Sequence, residues 1–334
     1  MKSKHVLVTG SDGFIGSHLT EALVRDGHNV RAFTYYNAFN GHGWLDRVSK
    51  DTQQSLDIRS GDIRDPFFVK DCMKGIDIVF HLAALIGIPY SYIAPDAYIE
   101  TNIKGTLHIL QAARESGVEK VLHTSTSEVY GTARSVPMTE EHSLLGQSPY
   151  AASKIGADHL ALSFFHSFDL PVCIVRPFNT YGPRQSTRAF IPTVITQILK
   201  GQRELKLGSL SPTRDLNFVE DTVNGFLAIA ACEESHGETF HLSSGFEISM
   251  GEVAHLIGKT LNKDLKIIED QKRVRPLKSE VLRLFGDNTK TTLKTGWKPK
   301  YGGLSGLEKG LKLTAEWFGN PNHLTYYKNE GYTV

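Results

Sequence analysis

Cysteine is scarce in this chain, and its three copies, Cys72, Cys173 and Cys232, are odd in number, far apart and without the spacing of a metal site. That excludes a disulfide framework, calls for no metal, and leaves reduced core thiols of the kind expected in a cytoplasmic protein. An excess of either charge is missing too. The chain has 37 Lys+Arg against 36 Asp+Glu, a net charge of +1 with no block of one sign, so neither nucleic acid nor an anionic membrane is implied as a partner. No apolar run approaches the ~18 residues that a membrane span needs. The opening MKSKHVLVTG carries an apolar segment too short for a signal peptide. Internal repeats and low-complexity stretches are also lacking. What remains is a globular composition, 40% hydrophobic and 22% charged over 334 residues, enough for one large domain or two.

His5–Thr9 is a short β-rich run leading into Gly10-Ser-Asp-Gly13-Phe14-Ile15-Gly16. An amphipathic helix to about Arg25 follows, stopped by Asp26-Gly27, and Val30–Thr34 is the next strand. Strand, glycine turn, helix and strand in that order are the context of a dinucleotide site. The glycines let the backbone approach a pyrophosphate, and the helix start offers free N–H groups and a positive dipole end.

The alternation continues with strand Leu56–Ile58 and its loop Gly61-Asp62-Ile63, then helix Phe67–Met73 and the apolar strand Asp77–Leu82, which ends in Ala83-Ala84. Next come helix Ala97–Ser116, strand Val118–Ser125, helix Tyr150–Phe168 and strand Val172–Val175, stopped by Arg176-Pro177. Strands separated by helices predict an α/β fold with a parallel sheet covered on both faces. After Pro177 the texture changes: helix Ile191–Lys200, then the Gly-, Ser- and Pro-rich Lys206–Arg214. Asp215–Ala231 reads as a return to the first domain through strand Leu216–Val219 and a helix. The expected division is residues 1–177 with 213–243 as the dinucleotide-binding domain. Residues 178–212 with 244–334 form a smaller, interleaved α+β domain over the mouth of the sheet.

The chemistry is concentrated in Thr124–Lys154, with TSTSEVYG at 124–131 and SPYAASK at 148–154. Tyr150 and Lys154 are four apart, hence one turn apart on one helix face. A phenol titrates near ~10, so a base near neutral pH needs a drop of roughly three units, about 4 kcal/mol. A cation some ~5 Å away at an effective dielectric near ~20 supplies on the order of 3 kcal/mol. Lys154 and an oxidised nicotinamide together cover the shift. The segment 124–128 follows an apolar run and places hydroxyls and one carboxylate at a strand's C-terminal end, where open α/β sheets bind ligands.

Taken together, GxxGxxG, the Ala-Ala loop, Thr/Ser before VYG, YxxxK, RPFNxYGP, a late RD…V.D and D-x-T-K…GW.P resemble the extended short-chain dehydrogenases/reductases, from Gly10 to Pro299. The resemblance implies a Rossmann-type doubly wound sheet. FNTYGPRQSTRAFIPT and GSLSPTRDLNFVEDTVNGF are most similar to the nucleotide-sugar 4,6-dehydratases, in particular the UDP-N-acetylglucosamine 4,6-dehydratases of legionaminic acid-type pathways.

On that resemblance Tyr150 takes the proton of the sugar 4-hydroxyl, Thr126 bonds the same hydroxyl, Glu128 removes the C5 proton, and Lys154 tunes Tyr150 and holds the nicotinamide ribose. Glu128 argues against simple 4-epimerisation, which needs no base at C5. UDP-glucuronate decarboxylases share TSEVYG and are the nearest alternative, although YAASK followed by GADHLA is more like the dehydratases. A dinucleotide-sensing scaffold is the non-enzymatic alternative, but such proteins usually lose Tyr or Lys from the pair. Ser127 stands where glucose-type dehydratases have Asp, so Glu128 or a water has to protonate the leaving 6-hydroxyl. The motif of the inverting dehydratases is absent, which implies retention at C5.

The resemblance assigns Gly10, Gly13, Phe14, Ile15, Gly16, Asp62, Ile63, Leu82, Ala83 and Ala84 to the cofactor. Thr34 occupies the place of the acid that bonds the ribose 2′-hydroxyl in NAD-specific members. NAD is expected, with NADP left open. Asn179, Arg188, Arg214 and Arg275 are assigned to the nucleotide-sugar substrate, Arg184 more weakly. A homodimer through the helices at 97–116 and 150–168 is implied by the same family likeness. His81 reads as a buried, hydrogen-bonded histidine, and Asp287, Lys290, Trp297 and Pro299 as structural positions.

Overall fold

The computed structural model describes residues 3–202, 204–325 and 327. Twelve strands occur among them: β1 His5–Thr9, β2 Asn29–Tyr35, β3 Asp57–Gly61, β4 Ile78–His81, β5 Lys120–Thr124, β6 Val172–Pro177, β7 Asn179–Tyr181, β8 Glu204–Leu207, β9 Thr213–Phe218, β10 Thr239–Leu242, β11 Glu247–Ser249 and β12 Lys266–Glu269. Seven form a parallel sheet in the order β10-β6-β5-β4-β1-β2-β3. The chain starts at the centre, builds outward through β2 and β3, and returns to lay β4 on the other side of β1. The switch point therefore falls between β1 and β4, where open α/β sheets bind ligands.

Both faces of the sheet are buried at its centre, which is why β1 and β4 read as apolar runs, whereas the edge strand β3, DIRSG, is only partly buried. Along β1, Val6 and Val8 pack toward Leu19, Leu23, Phe226 and Ile229, whereas Leu7 packs toward Val69, Ile109 and Phe164. The second region holds a three-stranded sheet, β11-β9-β7, and a parallel pair, β12-β8. The strand expected at Leu216–Val219 is β9, Thr213–Phe218, and it joins this smaller sheet, while the helix Val219–Ala231 after it packs under the large one.

Three local readings are corrected. The third strand runs Asp57–Gly61, so Gly61 belongs to the strand, close against the Phe68 ring. β6 does not stop before Arg176-Pro177 but includes both. The Arg176 charge is met inside the fold by Asp158, and Pro177 is the last strand residue, where a missing N–H costs little. The helix expected over Ala97–Ser116 is α-helical at Pro95–Tyr98 and Gly105–Ser116, with a π segment, Ile99–Lys104, between. That segment aims buried Asn102 inward, where it donates to Leu85 O and Ser153 Oγ (2.9 Å each) and accepts from Leu85 N (2.8 Å). The irregular turn thus ties the loop after β4 to the helix that carries Tyr150.

Candidate active site

The turn after β1 is compact because glycine alone fits it. Gly10 has φ +67°, and a Cβ there would lie 2.9 Å from the Ala83 backbone; at Gly16 it would lie 2.0 Å from Gly10 O. Turn and Ala-Ala loop are fastened by Thr9, whose Oγ1 accepts from Leu82 N and Ala83 N (3.1 Å each) and meets His81 Nδ1 at 2.8 Å. His81 Nε2 meets Thr106 Oγ1 at 3.0 Å, so both ring nitrogens are engaged in the interior. No side chain caps the helix Phe14–Arg25, which leaves its first N–H groups for a ligand. The donor set fits a dinucleotide pyrophosphate.

Around the adenosine end, Asp62 is engaged by Arg64 (2.5–3.0 Å). The Ile63 side chain lies in the core beneath Gly105. Thr34 departs from its expected role: its side chain is fully buried and bonds Ser60 Oγ on β3 at 2.9 Å, because strand alternation turns it away from the ligand edge. Tyr35 and Tyr36 are exposed, while Trp44 packs on Trp317 and Tyr327.

The Tyr150 helix begins at a defined residue. Ser148 Oγ accepts from Ala151 N at 3.1 Å, and Pro149 occupies the first turn, so Pro149–Phe168 starts with Tyr150 facing inward. Tyr150, Lys154 and Asp158 then follow at four-residue intervals down one buried face. Thr126 lies close enough to the Tyr150 hydroxyl to ease its ionisation, and Glu128 close enough for its charge to act against it. Thr126 also caps the 3-10 turn Ser127–Tyr130, accepting from Glu128 N at 3.2 Å, which sets Glu128 at the mouth of the site. Ser127 and Glu128 are both buried.

Burial dominates the electrostatics of the pair. In the chain alone it pushes Tyr150 well above its ordinary value, with Glu128 and Asp158 adding to the rise and Thr126 opposing it. Burial also pushes the Lys154 ammonium down to about 8, against the pull of Asp158. Beneath Lys154 lies a buried polar network that the motifs did not reveal. Asp158 Oδ2 accepts from Ser125 Oγ (2.7 Å) and from Arg176 Nε and Nη2 (3.2 and 3.0 Å), and Oδ1 lies 3.2 Å from His123 Nε2. Burial would raise Asp158, but His123, Arg176 and Lys154 outweigh it and hold the carboxyl below its usual range. The i, i+4, i+8 spacing from Tyr150 was the available signal.

On the substrate side Arg214 is buried beside Glu128. Its Nη2 lies 3.5 Å from Glu280 Oε1, and Arg275 Nη1 lies 3.7 Å from the same oxygen, so two guanidinium groups share the Glu280 carboxylate. Arg275 Nη1 and Asn179 Oδ1 are buried without hydrogen-bond partners, as donors and acceptors waiting for a ligand would be. Arg188 is exposed near Gly87. Arg184 is turned to Glu21 (2.6 Å) and Ser17 (3.2 Å) on the first helix, which gives it a clasping role. Trp297 donates Nε1–H to Asp221 O, and Lys290 pairs with Glu238.

A glycine turn at the switch point of a seven-stranded parallel sheet, with a Tyr/Lys pair on the helix opposite, defines an extended short-chain dehydrogenase/reductase. Residues 7–310 match the GDP-mannose 4,6 dehydratase family, and the chain belongs to it. Its relatives differ in chemistry. The chain is 32% identical to the low-salt glycan biosynthesis protein Agl12 of Haloferax volcanii, covering 91% of this chain and 96% of that one. It is 34% identical to a UDP-N-acetyl-alpha-D-glucosaminuronate decarboxylase of Bacillus cytotoxicus, over 94% and 98%. Among solved structures, a double mutant of the dTDP-glucose 4,6-dehydratase DesIV from Streptomyces venezuelae, with NAD and DAU bound, superposes with TM-score 0.83 at 28% identity, over 96% of this chain and 98% of that one. A UDP-N-acetylglucosamine 4-epimerase from Methanobrevibacter ruminantium, in complex with UDP-N-acetylmuramic acid, gives 0.84 at 29%, over 95% and 99%.

Proposed function

We propose that this protein is a nucleotide-sugar 4,6-dehydratase that converts UDP-N-acetylglucosamine to the 4-keto-6-deoxy sugar with retention at C5, using NAD. The observation that carries the reading is the buried Glu128 carboxylate within electrostatic reach of the Tyr150 phenol, with Thr126 beside both. An epimerase has no use for a second base there. When bound, NAD would supply a hydride acceptor for oxidation at C4 and the same hydride for C6, and so would be regenerated.

The chain's own residues move the protons. Tyr150 takes the proton of the 4-hydroxyl, and Thr126 orients that hydroxyl. Once C4 is a ketone, the C5 hydrogen is acidic and Glu128 removes it. With Ser127 a poor acid, the proton now on Glu128 goes to the departing 6-hydroxyl, which leaves as water. Glu128, reprotonated from solvent, then returns a proton to C5 on the same face as hydride enters at C6. Lys154 holds the nicotinamide ribose. Asn179, Arg214 and Arg275 hold the diphosphate, Arg188 contributes at the rim, and guanidinium planes suit phosphate oxygens.

On this reading residues 1–177 with 213–243 bind the dinucleotide, and residues 178–212 with 244–334 bind the nucleotide sugar, positions 1, 2, 203, 326 and 328–334 lying outside the described residues. No helix among the described residues is long and apolar enough to cross a membrane. The reading includes a cytoplasmic homodimer packed through the helices at 97–116 and 150–168. Support for the UDP-GlcNAc subgroup comes from FNTYGPRQSTRAFIPT and GSLSPTRDLNFVEDTVNGF.

The test is incubation with UDP-GlcNAc, UDP-glucuronate and dTDP-glucose in parallel. A ketone absorbing in alkali, formed from UDP-GlcNAc without net reduced cofactor, is expected. Carbon dioxide from UDP-glucuronate, or an epimer with no ketone, overturns the assignment.

A further inference from the structure

The corner where β2 ends beside the glycine turn is the place at which a dinucleotide fold meets the adenosine ribose, ordinarily with an acid from the strand itself. In this chain the strand offers none. Thr34 is sealed against Ser60, and the next residue, Tyr35, is 60% exposed. A carboxylate nonetheless stands at that corner, supplied by the turn. Asp12, immediately before Gly13, reaches across so that its Oδ2 accepts from Tyr35 N at 3.2 Å.

Asp12 is held from behind as well. Its carbonyl accepts from Trp44 N at 3.0 Å, and the chain passes so close that a Cβ on Gly43 would lie 2.5 Å from Asp12 O. The carboxylate is therefore placed by two segments, the end of β2 and the loop that packs Trp44 against Trp317. The cationic groups of this region are committed elsewhere. His42, whose charge acts on Asp12, lies 3.2 Å from Asp46 Oδ1, Arg64 forks onto Asp62, and Arg31 of β2 donates to Asp57 and to the carbonyls of Cys72 and Lys74. Nothing among these contacts offers a 2′-phosphate a positive partner, whereas the second oxygen of Asp12 is an acceptor suited to a hydroxyl.

We infer that Asp12 is the residue by which this protein prefers a dinucleotide with a free 2′-hydroxyl and rejects one with a 2′-phosphate. The inference rests on reading the glycine turn as a dinucleotide site and adds the origin of its selectivity. Asp12→Asn is the informative change. It keeps the side chain's size and an oxygen to accept from Tyr35 N, and removes only the charge. Asp12→Ser is measured alongside, so that the result does not depend on one variant's folding.

NAD and NADP are titrated calorimetrically into the full-length chain freed of bound nucleotide. The wild type is expected to prefer NAD. Each variant is expected to reduce that preference at least about tenfold, chiefly by gaining NADP affinity, since the Asp12 carboxylate no longer faces the like charge of the 2′-phosphate. A wild type that binds NAD, with a preference that stays the same in both variants, overturns the role of Asp12 alone. A wild type that binds neither dinucleotide overturns the reading of the turn and this inference with it.

Discussion

Replacing Glu128 by glutamine changes one charge and almost no volume at the point where the proposed reaction divides. Glu128 lies within electrostatic reach of the Tyr150 phenol and the Arg214 guanidinium. Its charge raises Tyr150, so the amide lets the phenol ionise more readily, and oxidation at C4 is not slowed. Arg214 keeps Glu280 at 3.5 Å and its bond to Thr213 O at 2.8 Å, so the loss of stability is on the order of 1 kcal/mol. What disappears is the base for C5. Removing a positioned general base costs about 10²–10⁴ in rate, or roughly 3–5 kcal/mol of barrier. Stopped-flow absorbance separates the two halves of the reaction. Reduced cofactor is expected to accumulate after mixing Glu128→Gln with substrate, while the 4-keto-6-deoxy product forms about 10²–10⁴ times more slowly than with wild type. Product at the wild-type rate, or no reduction of cofactor at all, refutes the division of labour between Tyr150 and Glu128.

Other consequences follow from the interior. Lys154 is charged below about pH 8 and loses its charge above it, so cofactor affinity is expected to fall as pH rises through that range. Asp158→Asn should move this fall to lower pH, because Asp158 supports the ammonium, and it should destabilise the fold by about 3–5 kcal/mol by stranding Arg176. A pH titration of NAD binding together with urea unfolding checks both effects.

Asp215 accepts from Ser244 N and Oγ (2.7 Å each), Gly245 N (3.2 Å) and Gly286 N (3.4 Å), and burial pushes it up to about 7. A raised carboxyl contributes stability that is complete below its unfolded value and is lost as pH rises through about 7. Asp215→Asn should flatten that dependence and, by leaving glycine N–H groups unmet, cost about 2–4 kcal/mol in denaturant unfolding. Gly16→Ala drives a Cβ to 2.0 Å from Gly10 O, and calorimetry should show dinucleotide binding abolished.

The parallel sheet was legible because each strand buried on both faces appears as an uninterrupted apolar run, and the glycine turn because its spacing reflects contacts that only hydrogen side chains allow. Tyr150 and Lys154 were legible from helical spacing. Less visible were features set by distant parts of the chain. Arg176 and Pro177 look like a strand terminator until Asp158, 18 residues earlier, is seen to accept the guanidinium. A π segment between two α-helical stretches leaves no mark in apolar periodicity, and its buried Asn102 finds its partners, Leu85 and Ser153, 17 and 51 residues away. Thr34 was assigned by its place at the strand end, but the pleat turns it to Ser60. Glu280, which joins Arg214 to Arg275, lies 66 residues from the first and has no local pattern to announce it.

The proposed lyase chemistry is tested most directly by running the reaction of purified protein with UDP-GlcNAc in deuterium oxide and analysing the sugar by mass spectrometry and NMR. Abstraction at C5 and departure of the 6-hydroxyl predict a product lighter by one water, carrying solvent deuterium at C5 with the configuration there retained. A product of unchanged mass, or one without deuterium at C5, contradicts the account.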